Sequence, residues 1–468
     1  MEQLHIDVLI VGGGLAGLRA AVAAAEAGAR VLLVSKTRVG EDNCTAAIWG
    51  AASGAVGGTT AEQYLERLRD KAQGRADPTL QRVLARDSGQ DLRELRRFGV
   101  PFQERHGQIL VDQSGQWRGR ALTRPLSAAA ESLGATLRWP LVVCDLMVED
   151  GACRGAVALD PDSGETVAIA AGAVVLCGGG HAAVYPWHDN PGRTSGDCAA
   201  MARRAGARLT DMDVVSFHTL GLIWGHEPFD ALHCSPILAA GRLVDETGAV
   251  VERGGLDALW ARHAEAPVGD RPRYHVTLDL SGVDWDEPRL AEAARLTFGG
   301  DSPPGRVSVC PLAHYTAGGI AIDAEGQTSV PGLLAAGECT GGVFGAGRPG
   351  GAALTDCLVF GRRAGRRAAA LAADRGAIAP TTPAPIVFDG DDDPSGLLAK
   401  ARRALWDHAG VVRTSDGLKA AAQELADISA AAAHLRPGCA ASWLTLHELR
   451  SVLAVGQALV REAAVLQR

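Results

Sequence analysis

No Cys-x-x-Cys pair occurs in the 468 residues; the ten cysteines (Cys44, Cys144, Cys153, Cys177, Cys198, Cys234, Cys310, Cys339, Cys357 and Cys439) are scattered singly. That spacing excludes the common haem-attachment, iron–sulfur and zinc-knuckle signatures within the chain, so any electrons travel on an organic cofactor or a partner subunit. Basic charge is also short: 46 Lys+Arg face 54 Asp+Glu, a net charge of −8. An acidic balance cannot supply the basic footprint that phosphate backbones need, so no nucleic-acid partner is expected. No uncharged apolar run reaches the roughly 18 residues of a membrane span, so no transmembrane segment is expected. The start, Met1-Glu2-Gln3-Leu4-His5-Ile6-Asp7, carries an acid and no basic stretch. It does not read as a secretory leader, and the expected location is cytoplasmic.

Aromatic residues make up only 4% of the chain, whereas glycine reaches 58 residues. Glycine clustered at that level marks places where the backbone approaches something closely or takes φ > 0. A large bound cofactor explains it, as does a compositional bias toward Gly, Ala and Arg. With 21% charged and 47% hydrophobic residues, the composition is that of an ordinary globular protein. At roughly 150 residues per domain, the length suggests about two to four domains.

The first segment reads as strand, turn, helix, strand. Asp7-Val8-Leu9-Ile10-Val11 is a short apolar run followed at once by Gly12-Gly13-Gly14-Leu15-Ala16-Gly17; Leu18 to Gly28 is Ala-rich and helical, and Ala29 to Val34 is a second buried strand. In this βαβ unit Gly12 permits the tight turn, Gly14 lets the backbone approach a pyrophosphate, and Gly17 lets helix and strand pack closely. The phosphate then sits on the helix N-terminus, drawn by free N–H groups and the helix dipole. The acidic residue expected after the second strand to hold a ribose is missing, and Val34-Ser35-Lys36 stands there instead.

Further apolar strands end in glycine at Ala173 to Gly180 and at Pro331 to Glu338. The first precedes Arg193-Thr194-Ser195-Gly196-Asp197 and a helix over Cys198 to Gly206, with Ser195 or Asp197 as its expected cap; the second runs into a glycine-rich loop and a helix over Ala352 to Ala373. The dinucleotide elements therefore fall in blocks, 1–215 and 306–375, around an insertion over 216–305. A Pro- and Asp-rich linker over 376–395 leads to a helical region over 396–468, read from its apolar spacing and its Ala, Leu, Glu and Arg content.

Taken in order, these motifs resemble the flavoprotein subunits of fumarate reductase and succinate dehydrogenase and the related L-aspartate oxidases. The matching pieces are Gly12 to Gly17, Ser35-Lys36, Gly179-Gly180, Ser195-Gly196-Asp197, Phe217-His218-Thr219, His314 to Gly319, Pro331 to Glu338, Val343 to Arg362 and Leu405 to Arg413. The resemblance implies an α/β fold: a Rossmann-like FAD-binding domain with an inserted small α+β capping domain and a C-terminal helical region. It implies noncovalent FAD, a small dicarboxylate substrate held between flavin and cap, and an electron-transfer partner subunit. Carried over position by position, the expected flavin contacts are Gly12, Gly14, Leu15, Ala16, Gly17, Ser35, Lys36, Cys44, Thr45, Gly50, Gly179, Gly180, Ser195, Asp197, Gly337, Glu338, Ala353 and Leu354. The expected catalytic residues are His218, His314 and Arg348. A guanidinium can grip a carboxylate bidentately, and fixed donors stabilise charge that develops beside one. Outside these motifs each histidine would read as a core residue and the arginine as a solvated loop side chain.

Several positions depart from the family pattern. Gly345-Ala346-Gly347-Arg348 stands where Gly-Ala-Asn-Arg is usual, with Phe344 in place of a histidine. The cap segment that supplies a proton-donor arginine reads Gly255-Leu256-Asp257, which leaves Arg253 or Arg262 as the substitutes to consider. Cys44 aligns with the histidine that links FAD covalently in membrane-complex members, so a histidyl link is excluded and only a thioether there would be covalent. Trp49 replaces a usual glutamine near the isoalloxazine. Thr340-Gly341-Gly342 and Gly350 to Leu354 look more like soluble fumarate reductases than aspartate oxidases. Leucine at the proton-donor position also raises a third reading: an FAD-binding electron-transfer or structural subunit without dicarboxylate chemistry.

Overall fold

The computed structural model describes residues 1–48, 50–111, 119–223, 231–232, 235–245, 247–265, 273–299, 303–375 and 383–466. Trp49 and part of the 376–395 linker lie outside the described residues. Strand β1 (Glu2–Val11), helix α1 (Leu15–Glu26) and strand β2 (Val31–Val34) form the expected opening unit. Strand β3 (Thr166–Leu176) pairs parallel to β1 on the side away from β2, and the strand Leu333–Ala335 pairs parallel to β3. The full sheet has seven strands, with Thr136–Arg138 beyond β2 and the antiparallel pair Ala152–Leu159 and Val142–Glu149 beyond β3.

Alternation builds the two faces of this sheet. Val8 and Ile10 enter the core shared with α1, while Leu9 and Val11 enter the core on the opposite face. The register sets Val11 beside Val34 and beside Leu176, and Ala335 beside Leu176. Four strands therefore end at one level, and the loops beginning at Gly12, Ser35, Cys177 and Ala336 converge there. Ligand sites of open parallel sheets form at this carboxyl edge.

Strand β4 (Val215–Ile223) opens a second, five-stranded antiparallel sheet with β5 (Arg306–Thr316), Val276–Asp279, Arg242–Val244 and Ala231–Leu232. The sheet of the insertion thus runs past 305, because β5 pairs with strands on both its sides. Helices Ser395–Ala409, Ser415–Ala432 and Ala440–Leu466 pack against this sheet and share one core with it around Tyr185, Tyr274 and Trp406. Insertion and C-terminal helices therefore stabilise each other.

Helix α2 (Ala352–Arg375) lies against α1. A Cβ on Gly361 would stand 2.7 Å from the Ala16 carbonyl oxygen, and one on Gly365 2.3 Å from that of Ala20, so glycine lets the two backbones meet. From α2, Arg362 forks onto Asp91 through Nε (2.6 Å) and Nη2 (2.9 Å), with the Asp91 side chain fully buried. Removing one partner of a buried pair typically costs about 3–5 kcal/mol. Arg362→Ala is expected to destabilise by about that amount, read as a lower denaturation midpoint at unchanged slope.

Candidate active site

The converging loops line a cavity of about 530 Å³ bounded by Gly12 to Ala16, Val34 to Thr37, Asp42 to Thr45, Cys177 to Gly179, Pro191 to Thr194, Ala336 and Glu338. At its floor α1 follows Gly14, an N-cap without a side chain, so the positive end of the helix dipole faces the cavity. A Cβ on Gly14 would meet nothing nearer than 3.9 Å, so this backbone faces open space. On Gly17 a Cβ would come within 2.0 Å of the Gly12 carbonyl oxygen. Gly12, at φ 121°, makes the turn and Gly17 the close packing that the spacing predicted. Thr45 Oγ1 accepts from Leu15 N–H at 3.4 Å, and Ala16 lines the same wall.

At one side of the cavity Lys36 Nζ donates to Asp197 at 2.8 Å and also reaches the Arg193 carbonyl, while Ser195 Oγ donates to Asp197 Oδ1 at 2.9 Å. Burial works to raise the Asp197 carboxyl, but Lys36 and His447 outweigh it and hold it below the ordinary carboxylate range. Ser35 lies on the same wall. Neither Ser195 nor Asp197 caps the following helix: Gly196, at φ 82°, takes the N-cap position without a side-chain bond, because Ser195 is turned onto Asp197.

Of the other residues expected at the flavin, Gly179 lines the cavity, while Gly50, Gly180, Gly337, Ala353 and Leu354 are not among its lining residues. Gly50, Gly179 and Gly337 have φ of 73°, 79° and 76°. A Cβ on Gly180 would stand 2.3 Å from Glu338 Oε1. Ala353 and Leu354 sit in the first turn of α2. Cys44 donates its thiol to Asn190 Oδ1 at 3.0 Å. Burial, reinforced by Glu338 and Asp189, pushes the Cys44 thiol well up.

His218 lies in β4 between two register shifts, at Ser216/Phe217 and His218/Gly221. Such bulges re-aim side chains, and this one turns His218 toward His314 of β5, at a ring separation of 4.2 Å. Residues 187–189 run along the far edge of β5: Ala313 N donates to the Trp187 carbonyl at 3.0 Å and Asp189 N to the Ala313 carbonyl at 3.2 Å. That edge brings Asp189 between the two imidazoles, its Oδ2 3.1 Å from His218 Nε2 and 2.9 Å from His314 Nδ1. Burial opposes ionisation of Asp189, but the two histidine hydrogen bonds outweigh it and keep its carboxyl below the usual range. Asn190 Nδ2 donates to the His314 carbonyl at 2.8 Å and to Asp189 Oδ1 at 3.3 Å.

Arg348 is placed differently. Its guanidinium lies 4.2 Å from the centre of the Tyr315 ring, Nη1 donates to the Pro349 carbonyl at 3.1 Å, and Nε is buried without a partner among the described residues. Arg348 thus packs on the residue next to His314 in β5, at the register shift opposite Ser216 and Phe217. The two meet electrically at Glu338. Burial pushes that carboxyl up, while the Thr316 N–H at 3.1 Å and the charges of His314 and Arg348 pull it down.

Asp356, the next acid inward, is raised to about 7, first by burial and then by Glu338, with Arg348 opposing. The unfolded reference is about 3.9. The fold thus favours the protonated carboxyl, a contribution complete below the unfolded value and lost as pH rises through the folded one. Asp356→Asn is expected to raise the thermal midpoint at pH 8 and to narrow its difference from pH 5.

The two substitutes considered for the cap arginine are otherwise placed. Leu256 is buried at the start of the helix Leu256–Glu265, Arg262 is exposed on it, and Arg253 donates to the carbonyls of Leu238 and Gly241. Sequence reasoning missed Asp189, Asn190 and Asp356. The first two lie in a loop without a motif, and the third sits inside a helix.

A cavity at the carboxyl edge of a Rossmann-like sheet, over the N-terminus of its first helix, is where such a fold holds a dinucleotide, and the protein is an FAD-dependent oxidoreductase. The FAD binding domain family profile matches residues 7–354, so the chain belongs to that family, among the flavoproteins of fumarate reductase and succinate dehydrogenase type and the L-aspartate oxidases. It is 30% identical to an L-aspartate oxidase of Streptomyces coelicolor, covering 98% of this chain and 86% of that one. To the fumarate reductase flavoprotein of Escherichia coli it is 29% identical, covering 80% of this chain and 70% of that one. The FrdA chain of E. coli quinol fumarate reductase superposes with a TM-score of 0.82 at 24% identity over 99% of this chain and 90% of that one, a likeness of fold. Among the described residues no helix is long and apolar enough to cross a membrane.

Proposed function

We propose that the chain catalyses hydride transfer between FAD and a carbon of a small dicarboxylate, with 1–215 and 306–375 holding the flavin and 216–305 closing over the substrate. Bound FAD supplies the two-electron chemistry, exchanging a hydride at its N5. The uncapped N-terminus of α1 receives the pyrophosphate, Ser35, Lys36 and Asp197 the adenosine side, and Thr45, Gly179, Gly180 and Glu338 the flavin side. His218 and His314 present N–H donors to a substrate carboxylate, and Arg348 supplies fixed positive charge. The convergence of both imidazoles from separate strands, joined through Asp189, Asn190 and Cys44 to the cavity wall, is the observation that carries this reading. Electrons then pass to a partner subunit or a soluble carrier, in the cytoplasm.

The test is flavin spectroscopy on purified protein: reduced flavin reoxidised by fumarate, or oxidised flavin bleached by succinate. Flavin that ignores both ends the dicarboxylate reading. The likeness to the Streptomyces coelicolor enzyme favours a second one, L-aspartate oxidation, which predicts aspartate-dependent peroxide. Silence toward all three leaves the third, a flavin-binding subunit without this chemistry, which buried Leu256 supports.

A further inference from the structure

We propose that Arg75 is a positioning residue for Arg348: it fastens the turn on which the Arg348 loop rests. The helix Ala61–Ala72 ends in left-handed backbone at Gln73 and Gly74, with φ of 49° and 79°, and the chain reverses into the helix Pro78–Glu94. The loop over 342–348 lies on this reversal. Ala346 N donates to the Ala72 carbonyl at 3.1 Å and Asp77 N to the Gly342 carbonyl at 2.7 Å. At Gly345, with φ 55°, a Cβ would stand 2.6 Å from Ala76 N and 2.9 Å from the Ala72 carbonyl oxygen, and one on Gly347 would stand 3.0 Å from that of Lys71. Loop and turn therefore meet backbone to backbone, and Arg348 follows that contact directly. Phe344 and Arg348 both pack on Tyr315, at 6.0 and 4.2 Å from its ring centre, so a shift of the loop carries the guanidinium with it.

Arg75 ties this turn to the start of the second sheet. Its Nη1 donates to Asp213 Oδ2 at 2.9 Å, and its Nη2 to Asp213 Oδ1 at 2.6 Å and Asp211 Oδ1 at 3.2 Å. A bidentate fork of this kind fixes orientation as well as distance. Both aspartates are buried, and burial together with Asp213 raises the Asp211 carboxyl while Arg75 opposes the rise. Without the guanidinium, two like charges would face each other out of water. The receiving segment is held from its other side. Glu462 of the last helix accepts from Asp211 N at 3.0 Å and Met212 N at 2.8 Å, and Arg413 Nη1 donates to the Asp213 carbonyl at 2.6 Å.

The catalytic consequence rests on the carboxylate reading of Arg348 above; the anchoring of the loop rests on geometry alone. Arg75 itself touches neither substrate nor flavin in this arrangement. It acts by keeping a second guanidinium where a carboxylate can be gripped, and displacements of about an ångström there cost on the order of 100-fold in rate.

The experiment compares flavin-loaded parent, Arg75→Ala, Arg348→Ala and the double variant by succinate and fumarate kinetics and by amide hydrogen exchange over 342–348. Arg75→Ala is expected to speed exchange there and to lower kcat/KM about 10- to 100-fold at unchanged flavin content; Arg75→Lys, a charge without the fork, recovers only part. In the Arg348→Ala background the same change is expected to cost less than about twofold, because a residue acting through Arg348 has nothing left to position. Flavin content and the thermal midpoint check that the variants fold, and Asp213→Asn, which keeps the shape, is expected to give the same pattern if Arg75→Ala does not hold its flavin. Unchanged exchange over 342–348, or an equal loss of kcat/KM in both backgrounds, overturns the proposal and leaves Arg75 a general packing residue. Faster exchange in Arg75→Ala, together with an Arg348→Ala variant that turns over like the parent, would sink the reading of Arg348 and keep the anchor. If the parent turns over neither carboxylate, the carboxylate reading fails and exchange alone decides the anchor.

Discussion

Gly12→Ala is expected to yield protein that retains flavin at least about 100-fold more weakly than the parent, equivalent to about 2.7 kcal/mol. Gly12 has φ 121°, and a Cβ there would stand 2.2 Å from the Cys177 carbonyl oxygen and 2.6 Å from its carbon. Strain of that backbone costs roughly 1–2 kcal/mol for a residue other than glycine, and overpacking adds about 1–3 kcal/mol. The position is also pinned: Gly12 N donates to the Val34 carbonyl at 2.8 Å and Cys177 N to the Val11 carbonyl at 2.7 Å, so neither strand end can retreat without loosening the other. Gly14→Ala separates the two costs. Its φ is −83° and its Cβ would enter open space, so the flavin-free protein is expected to keep its thermal midpoint while flavin affinity falls. Equal flavin content in Gly12→Ala and parent, measured after denaturation, would remove the cradle from this turn.

That pair shows what the sequence could and could not reveal. Gly12 and Gly17 answer backbone constraints that only glycine meets, Gly14 is legible from the motif spacing alone, and the strand and helix around them follow from apolar period. The end of the insertion was less so: β5 is apolar like the flavin strands, and only pairing on both edges assigns it to the second sheet. His218 and His314 were found through family motifs, since nothing in local spacing announces that a bulge turns one toward the other. Asp189 carried no signal at all, because its role arises from residues 187–189 lying along the edge of a strand more than a hundred positions away. Contacts made between distant segments leave no period to read.

Arg348→Ala is expected to lower kcat/KM for the carboxylate substrate roughly 1000-fold while flavin content stays unchanged. Loss of a preorganised donor for developing charge costs about 100- to 1000-fold, and this guanidinium also serves two buried acids. It lowers the carboxyls of both Glu338 and Asp356, and its Nε is buried without a hydrogen-bond partner among the described residues. A buried donor left open is costly unless something completes it, and a substrate carboxylate would. The stacking on Tyr315 holds the planar group in place, so Arg348→Lys, a point charge without the fork, is expected to recover only a small part of the loss. A structural role would act through the thermal midpoint and leave kcat/KM of the folded fraction intact. If the alanine variant keeps its flavin and turns over within threefold of the parent, Arg348 is a packing residue.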